Sequence, residues 1–279
     1  MSADVSHTWA VLEPRRGRWS LGLREVIRYR ELLYMLAWRD VSVRYKQTAL
    51  GVAWALLQPL LTMLVFTIFF GRFAGLAGRT GGVPYPLYVL AGLLPWTFFA
   101  TSITNAASSL VTSASLVSKV YFPRLLVPLA CVGVALVDLA VSVLLLLALM
   151  AWYGVAPTLQ VLAAPVALLG ALLGAAGVGA FLSALAVSYR DVRYAVPFAV
   201  QIWMFVTPVI YPASVVPDRW RALLWLNPMA GILEGFRASL LGLPVDWTLL
   251  GASVAACALL FVAGSAYFES VERRFADVL

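Results

Sequence analysis

Histidine occurs once in the 279 residues, as His7, and lysine twice, as Lys46 and Lys119. Neither lysine follows a glycine, so the chain has no G-x-x-x-x-G-K-[ST] loop to cradle the phosphates of ATP. A single histidine excludes a histidine-rich metal centre and leaves no imidazole base for chemistry inside a membrane. The thirteen acidic residues are spread thinly, with no close pair inside an apolar run, which removes paired-carboxylate hydrolysis and metal-bound phosphatase chemistry. Cys131 and Cys257 both fall in apolar runs and read as small buried side chains rather than a redox pair. Catalysis has no visible home, and neither a metal nor a cofactor is expected in this chain.

Charge is scarce as well. Only 12% of the residues are charged and 62% are hydrophobic, about half the charged fraction of a soluble domain. The net charge of +7 does not point to nucleic acid, because the basic residues cluster at the edges of apolar runs rather than on one face. The first 30 residues are polar and arginine-rich and hold no early apolar segment, so no cleavable leader is expected and the N-terminus is expected to stay inside.

What is present is apolar length. Six runs are long enough to span hydrocarbon, at about 50–71, 87–110, 126–152, 161–187, 195–212 and 248–268. With both termini inside, 15 lysines and arginines fall on the cytoplasmic side and 5 on the outer side, the bias expected of a polytopic inner-membrane protein. In WRDVSVRYKQTALGVAWALLQP, from Trp38 to Pro59, basic residues pass directly into the first run, which places the membrane boundary near Thr48. Pro95, Pro165, Pro197 and Pro208 lie in or near spans, so helices there are expected to kink, or to break where protein covers the freed backbone.

Ahead of the first run, Leu23, Val26, Ile27, Leu33, Leu36 and Ala37 recur at helical spacing, with Arg24, Arg28, Glu31 and Arg39 opposite. This predicts an amphipathic helix in the headgroup plane. Residues 213–247 hold apolar stretches too short to span, broken by prolines and glycines, and read as two short re-entrant helices split near Asn227 and Pro228. Residues 1–20 read as a loosely held tail, and 21–279 as one membrane domain with no internal repeat.

Several polar residues fall inside spans: Asp138, Asn105 and Gln201. An intramembrane carboxylate is functional by default, as a polar lining or a proton-coupled step, but a lone acid without nearby basic partners argues weakly for proton coupling, and an interhelical hydrogen bond is the favoured role of Asp138. Aromatic residues near span ends, among them Trp54, Phe66, Phe69, Phe70, Trp96, Phe98, Phe99, Trp203, Phe205 and Tyr211, are either interfacial anchors or the lining of a conduit, since ring faces contact apolar sugar faces without demanding one linkage.

Five segments in order, RDVSVRYKQTALGVAWALLQPLL, YPLYVLAGLLPWTFF, SLVSKVYFPRLLVPLA, SYRDVRYAVPF and WLNPMAGILEGFR, resemble the membrane subunits of ABC-2 type exporters over about residues 20–270. The likeness is to the branch that exports O-antigen, capsular polysaccharide or teichoic acid. It implies an all-α, six-span half-transporter of the bacterial plasma (inner) membrane that pairs as a homodimer and binds two copies of a separate ATPase, the site of Mg-ATP. A lipid-linked glycan is the implied substrate, surrounded by membrane lipids, with no nucleic acid partner.

The resemblance also implies roles for residues. Arg39, Arg44 and Lys46 would stand at the cytoplasmic mouth. Trp54, Phe66, Phe69, Phe70, Trp203, Phe205 and Tyr211 would line the channel. Leu116, Val117, Lys119, Tyr121 and Phe122 would form a coupling helix against the ATPase, with Arg190 and Asp191 a second contact. Asn227, Pro228, Glu234 and Arg237 match the outer re-entrant motif, where Glu234 and Arg237, spaced i, i+3, can pair. An exporter of a drug or small lipid from the same superfamily is the nearest alternative, followed by a secondary flippase and a membrane enzyme.

Overall fold

A computed structural model of the protein describes residues 23–46, 53–272 and 275; the tail 1–20, Gln47 and the expected boundary at Thr48 lie outside them. The described residues form helices and connecting turns, with no strand among them. The chain opens with α1 (Leu23–Arg28) and α2 (Arg30–Lys46). The long elements are α3 (Ala53–Phe66, continued by a π-helical stretch Thr67–Phe73), α4 (Tyr85–Thr112), α6 (Leu126–Tyr153), α7 (Ala163–Ser188) and α11 (Trp247–Val271). Between them lie α5 (Ala114–Lys119), α8 (Val192–Val206), α9 (Asp218–Leu226) and α10 (Pro228–Leu241).

Five helical stretches are long and apolar enough to cross a bilayer: Ala53–Phe73, Tyr85–Thr112, Leu126–Tyr153, Leu159–Ser188 and Trp247–Val271. The sixth expected run, 195–212, differs. Its helix, α8, has 15 residues, about 22 Å and short of the hydrocarbon thickness. Proline explains the early end, because Pro208 cannot continue the helical hydrogen-bond ladder. The chain leaves α8 at Thr207 in an extended conformation, and Thr207, Pro208, Val209 and Ile210 are buried.

Packing is set by side-chain size. The buried face of α7 is almost entirely alanine and glycine, and small residues let helix backbones approach until dispersion contacts are dense, the chief attraction left where lipid is as apolar as the core. A Cβ on Gly264 of α11 would stand 2.1 Å from the carbonyl oxygen of Gly177 in α7, and one on Gly177 would stand 2.4 Å from the Cα of Phe261. The α7–α11 crossing is therefore a backbone-to-backbone contact with no room for a methyl group. Around it, α4 and α10 complete a core that includes Phe99, Ile103, Met229, Phe236 and Cys257.

A second cluster closes the other end of the bundle. Leu36 of α2, Leu110 of α4, Val117, Phe122, Leu126, Ala184, Phe268 and Phe275 pack together there. The N-terminal helix thus joins the bundle: Ala37 stands 3.3 Å from where a Cβ on Gly133 of α6 would be, so the smallest residue lets α2 lie against α6. The first and last elements are held at the end where α5 joins α4 to α6.

Gly264→Ala is expected to lower the thermal midpoint of the detergent-purified protein, with an overpacking cost of roughly 1–3 kcal/mol, whereas Gly251→Ala, whose Cβ meets nothing within 4 Å, is expected to hold or raise it, because alanine favours the helix. Thermal unfolding followed by size-exclusion chromatography distinguishes the two.

Candidate functional site: a polar cluster beside an intramembrane cavity

The basic stretch Arg39–Lys46 is the last part of α2 rather than a separate segment, because nothing between Arg30 and Lys46 breaks the helix. From Ala37 onward α2 runs along α6, and its end meets Asp138. The Arg44 guanidinium donates to one Asp138 carboxylate oxygen and the Tyr45 hydroxyl to the other. Asp138 lies 12 residues into α6, about 18 Å along its axis. The carboxylate that lacks a basic neighbour in its own span has one supplied by α2, 94 residues away in sequence.

This arrangement follows from the cost of charge in an apolar medium. An unpaired carboxylate at that depth is expensive, and pairing with a guanidinium removes most of the penalty. Burial first, then the neighbouring Asp138, pushes the Tyr45 hydroxyl up to about 12, so it keeps its proton and acts as donor at any physiological pH. The Ser142 hydroxyl adds a further tie, reaching the Asp138 carbonyl at 2.8 Å and the Ala55 carbonyl of α3 at 3.3 Å.

A cavity of about 280 Å³ opens between α2, α3, α4 and α6 beside this cluster. Pro59, Leu94, Phe98 and Leu139 give it an apolar wall, and Arg44, Asp138 and Gln58 a polar side. Trp54, an expected channel-lining residue, stands at this cavity and is half exposed. Arg39 is at the surface, paired with its neighbour Asp40 at 2.8 Å, and Lys46 is exposed at the end of α2. Of the three expected mouth residues, Arg44 is the one held by Asp138. Among the described residues no group of three His, Cys, Asp or Glu side chains gathers to hold a metal ion.

The expected lining residues divide in the same way. Phe69 and Phe205 are exposed, but Phe66 and Phe70 pack against the core, and Tyr211 does too, its hydroxyl donating to the Phe205 carbonyl at 3.1 Å. Trp203 turns inward, edge-on to Phe99 at 5.2 Å and to Trp96 at 6.2 Å, because its indole N–H finds the Asn227 amide oxygen at 3.2 Å. In its place α8 shows an open face of Tyr194, Phe198, Gln201 and Phe205. Their spacing of i, i+4, i+7 and i+11 is one helix face and is legible in the sequence. Among the long apolar stretches the α3 span is also the least covered, only 11% of it being buried.

At the expected coupling segment, α5 stops at Lys119, and Val117 and Phe122 are buried in the chain's own cluster rather than available to a partner. Apolar side chains that a short helix cannot cover alone are taken up by α6 and α11. Leu116 packs at the edge of that cluster. What remains presented is Lys119, Val120 and Tyr121, the last 79% exposed. Arg190 and Asp191 are exposed in the turn between α7 and α8, flanked by exposed Tyr189 and Tyr194.

The expected re-entrant helices are α9 and α10, divided at Asn227 and Pro228. Asn227 caps α10, its amide oxygen accepting from the Met229 N–H at 3.1 Å while its amide nitrogen donates to the Thr207 hydroxyl at 2.9 Å. Glu234 and Arg237 do pair, at 3.2 Å, but Arg237 is wholly buried. Its five N–H groups reach the Tyr88 carbonyl, the Tyr88 hydroxyl, Glu234 and the carbonyls of Pro208 and Val209, at 2.7 to 3.2 Å. Gly92 makes this possible, since a Cβ there would come within 2.2 Å of the guanidinium. The broken backbone after α8 is thus covered by an arginine from α10.

Comparison with known proteins comes from most of the chain. A family model described as ABC-2 type transporter matches residues 31–241. An O-antigen export system permease protein RfbA of Myxococcus xanthus is 34% identical over 259 residues, covering 91% of this chain and 98% of that protein. The protein of the same name from Klebsiella pneumoniae is 26% identical over 250 residues, covering 89% and 95%. Polysialic acid transport protein KpsM of Escherichia coli is 23% identical over 206 residues, covering 70% and 76%.

Two outcomes test these clusters. Arg44→Gln strands Asp138 and is expected to destabilise the protein, by roughly 1–2 kcal/mol once the partial exposure of the pair is allowed for; adding Asp138→Asn should recover most of the loss, and additive effects in the double-mutant cycle would show the contact to be idle. Arg237→Lys loses the planar fork and leaves carbonyls unmet, so its folded yield should fall well below that of an Arg221→Lys control, the Arg221 pair with Asp218 being exposed.

Proposed function

The chain belongs to the ABC-2 type transporter family, and from that footing we propose that it is the membrane-spanning permease of an ATP-driven exporter that moves a polyprenyl-diphosphate-linked polysaccharide out of the cytoplasm. The observation that supports this most is the alignment with an O-antigen export permease over nearly the full length of both proteins; the weaker likeness to a polysialic acid transport protein points to the same substrate class. The chain sits in the bacterial inner membrane with both termini inside, as the 15 to 5 split of basic residues favours. It works without catalytic groups of its own. Mg-ATP is bound and hydrolysed by a separate subunit, in keeping with the absence of a phosphate loop.

In this reading two copies pair and the conduit runs between the open faces of α3 and α8. Those faces expose Trp54, Phe69, Phe198 and Phe205, rings able to contact sugar faces without selecting one linkage. The polar groups of Gln58 and Gln201, on the same exposed sides, offer hydroxyl partners. Two ATPase subunits press on Lys119 to Tyr121 and on Arg190 and Asp191. Because Val117 and Phe122 are locked into the cluster holding Leu36, Phe268 and Phe275, a displacement of α5 is delivered to α2 and α11 as well as to the two helices it joins. The lipid diphosphate arrives at the end of α2, where Arg39, Arg44 and Lys46 supply positive charge, and Asn227, Pro228, Glu234 and Arg237 frame the far side.

In a host deprived of its own polysaccharide permease, the chain expressed with its cognate ATPase and glycan supply should restore surface polysaccharide, seen as a ladder on gels, and Tyr121→Ala should lower export by about tenfold without loss of the inserted protein, as removal of an exposed aromatic anchor does at an interface. Unrestored surface glycan with raised resistance to amphiphilic drugs would instead mark an exporter of small molecules.

A further inference from the structure

Arg44 faces a competition that the sequence does not reveal. Its side chain, 40% exposed, lines the cavity between α2, α3, α4 and α6, yet its guanidinium is already paired with Asp138, whose side chain is 25% exposed. A guanidinium has five N–H donors in a planar fork; one terminal nitrogen is used by Asp138, which leaves donors for a second anion at a residue that lines the cavity. Asp138 is in turn held by the Tyr45 hydroxyl, and its helix is tied to α3 through Ser142. The carboxylate is thus a fixed resident of the anion-binding side of Arg44. Any external anion must displace it or share the arginine with it.

A bare arginine opening to the bilayer would be occupied by whichever anionic lipid is most abundant. A resident carboxylate changes that. A phosphodiester headgroup brings a single charge and gains little over the carboxylate it displaces, whereas a diphosphate brings more charge and oxygens spaced to take two donors of the fork at once. The apolar wall formed by Leu94, Phe98 and Leu139 accommodates the first part of a hydrocarbon tail beside the headgroup.

We propose that Asp138 is an internal counter-anion that sets the charge threshold of the Arg44 site, so that this cavity admits a diphosphate-bearing amphiphile and rejects the phosphodiester lipids around it. The proposal deepens the function argued above and rests on its reading that a lipid diphosphate is presented at the end of α2. Asp138 is a specificity-determining residue in this scheme, Arg44 the group that touches the ligand, and Tyr45 a positioning residue acting through Asp138.

The test is competition binding to the purified full-length chain by native mass spectrometry, with farnesyl diphosphate as the diphosphate probe and phosphatidylglycerol as the phosphodiester. The wild-type chain should prefer farnesyl diphosphate. Asp138→Asn should tighten phosphatidylglycerol binding and narrow the preference by about fivefold, the scale of one partly exposed charge pair, and Tyr45→Phe, which keeps the carboxylate but loosens it, should move the ratio the same way by less. Arg44→Gln should weaken farnesyl diphosphate by about tenfold, the scale of one lost charge-assisted contact. An unchanged ratio in Asp138→Asn, or undiminished diphosphate binding in Arg44→Gln, overturns the proposal. Surface glycan restored by a chain that shows no diphosphate preference would sink this inference alone; a preserved preference with no glycan export would sink the functional reading instead.

Discussion

Arg237 is the group on which the rest of the bundle depends. A chain that leaves α8 at Thr207 carries unpaired carbonyls into an apolar interior, where each would cost several kilocalories unless met. One side chain meets two of them, at 2.7 and 3.0 Å, and spends its remaining donors on Tyr88 and Glu234. The Tyr88 ring lies 4.0 Å from the guanidinium carbon and adds a cation–π contact. Glu234 balances the charge and accepts from the Ala213 N–H at 3.3 Å. Three stretches far apart in sequence, α4, the end of α8 and α10, meet at one cation. The burial of α10, complete apart from the half-buried Pro228 and Glu234, follows from that meeting.

How much of this was legible beforehand depended on whether the signal was local. Apolar length located the long helices, and the split between α9 and α10 at Asn227 and Pro228 followed from a capping residue and a proline standing together. The pairing of Glu234 with Arg237 followed from i, i+3 spacing, but the burial of Arg237 did not, because it depends on Gly92 leaving a gap 145 residues earlier in the chain. The partner of Asp138 was hidden for the same reason. A scan of its own span finds no cation, and Arg44 reaches it only because Gly133 lets α2 lie against α6. The inward packing of Trp203 and Phe122 was not legible either: an aromatic near a helix end fits a conduit or a docking surface as well as a core, and only packing shows which contacts it makes within the chain.

The two cations differ in the way a transporter needs. Along α4, Tyr88 meets Arg237 near one end, while Leu110, in the cluster that holds α5, lies 22 residues away, about 33 Å. Arg237 is fully enclosed and uses all its donors, so releasing it would strand several buried groups at once, a penalty far beyond thermal energy. Arg44 is partly exposed and tied through one carboxylate that Tyr45 also holds, so exchanging that partner costs roughly the 1–2 kcal/mol of stranding Asp138, far less than opening the Arg237 cluster. One side of the bundle is therefore fixed and the other can be exchanged. If a lipid anion takes the place of Asp138, the tie that holds the end of α2 to α6 is transferred to the ligand, and α2 is packed at its other end in the cluster that α5 shares. Arrival of the ligand and displacement of α5 then act on the same helix, α2, so that under the proposed function, with a partner ATPase pressing on α5, the exporter would have a physical means of answering to its load.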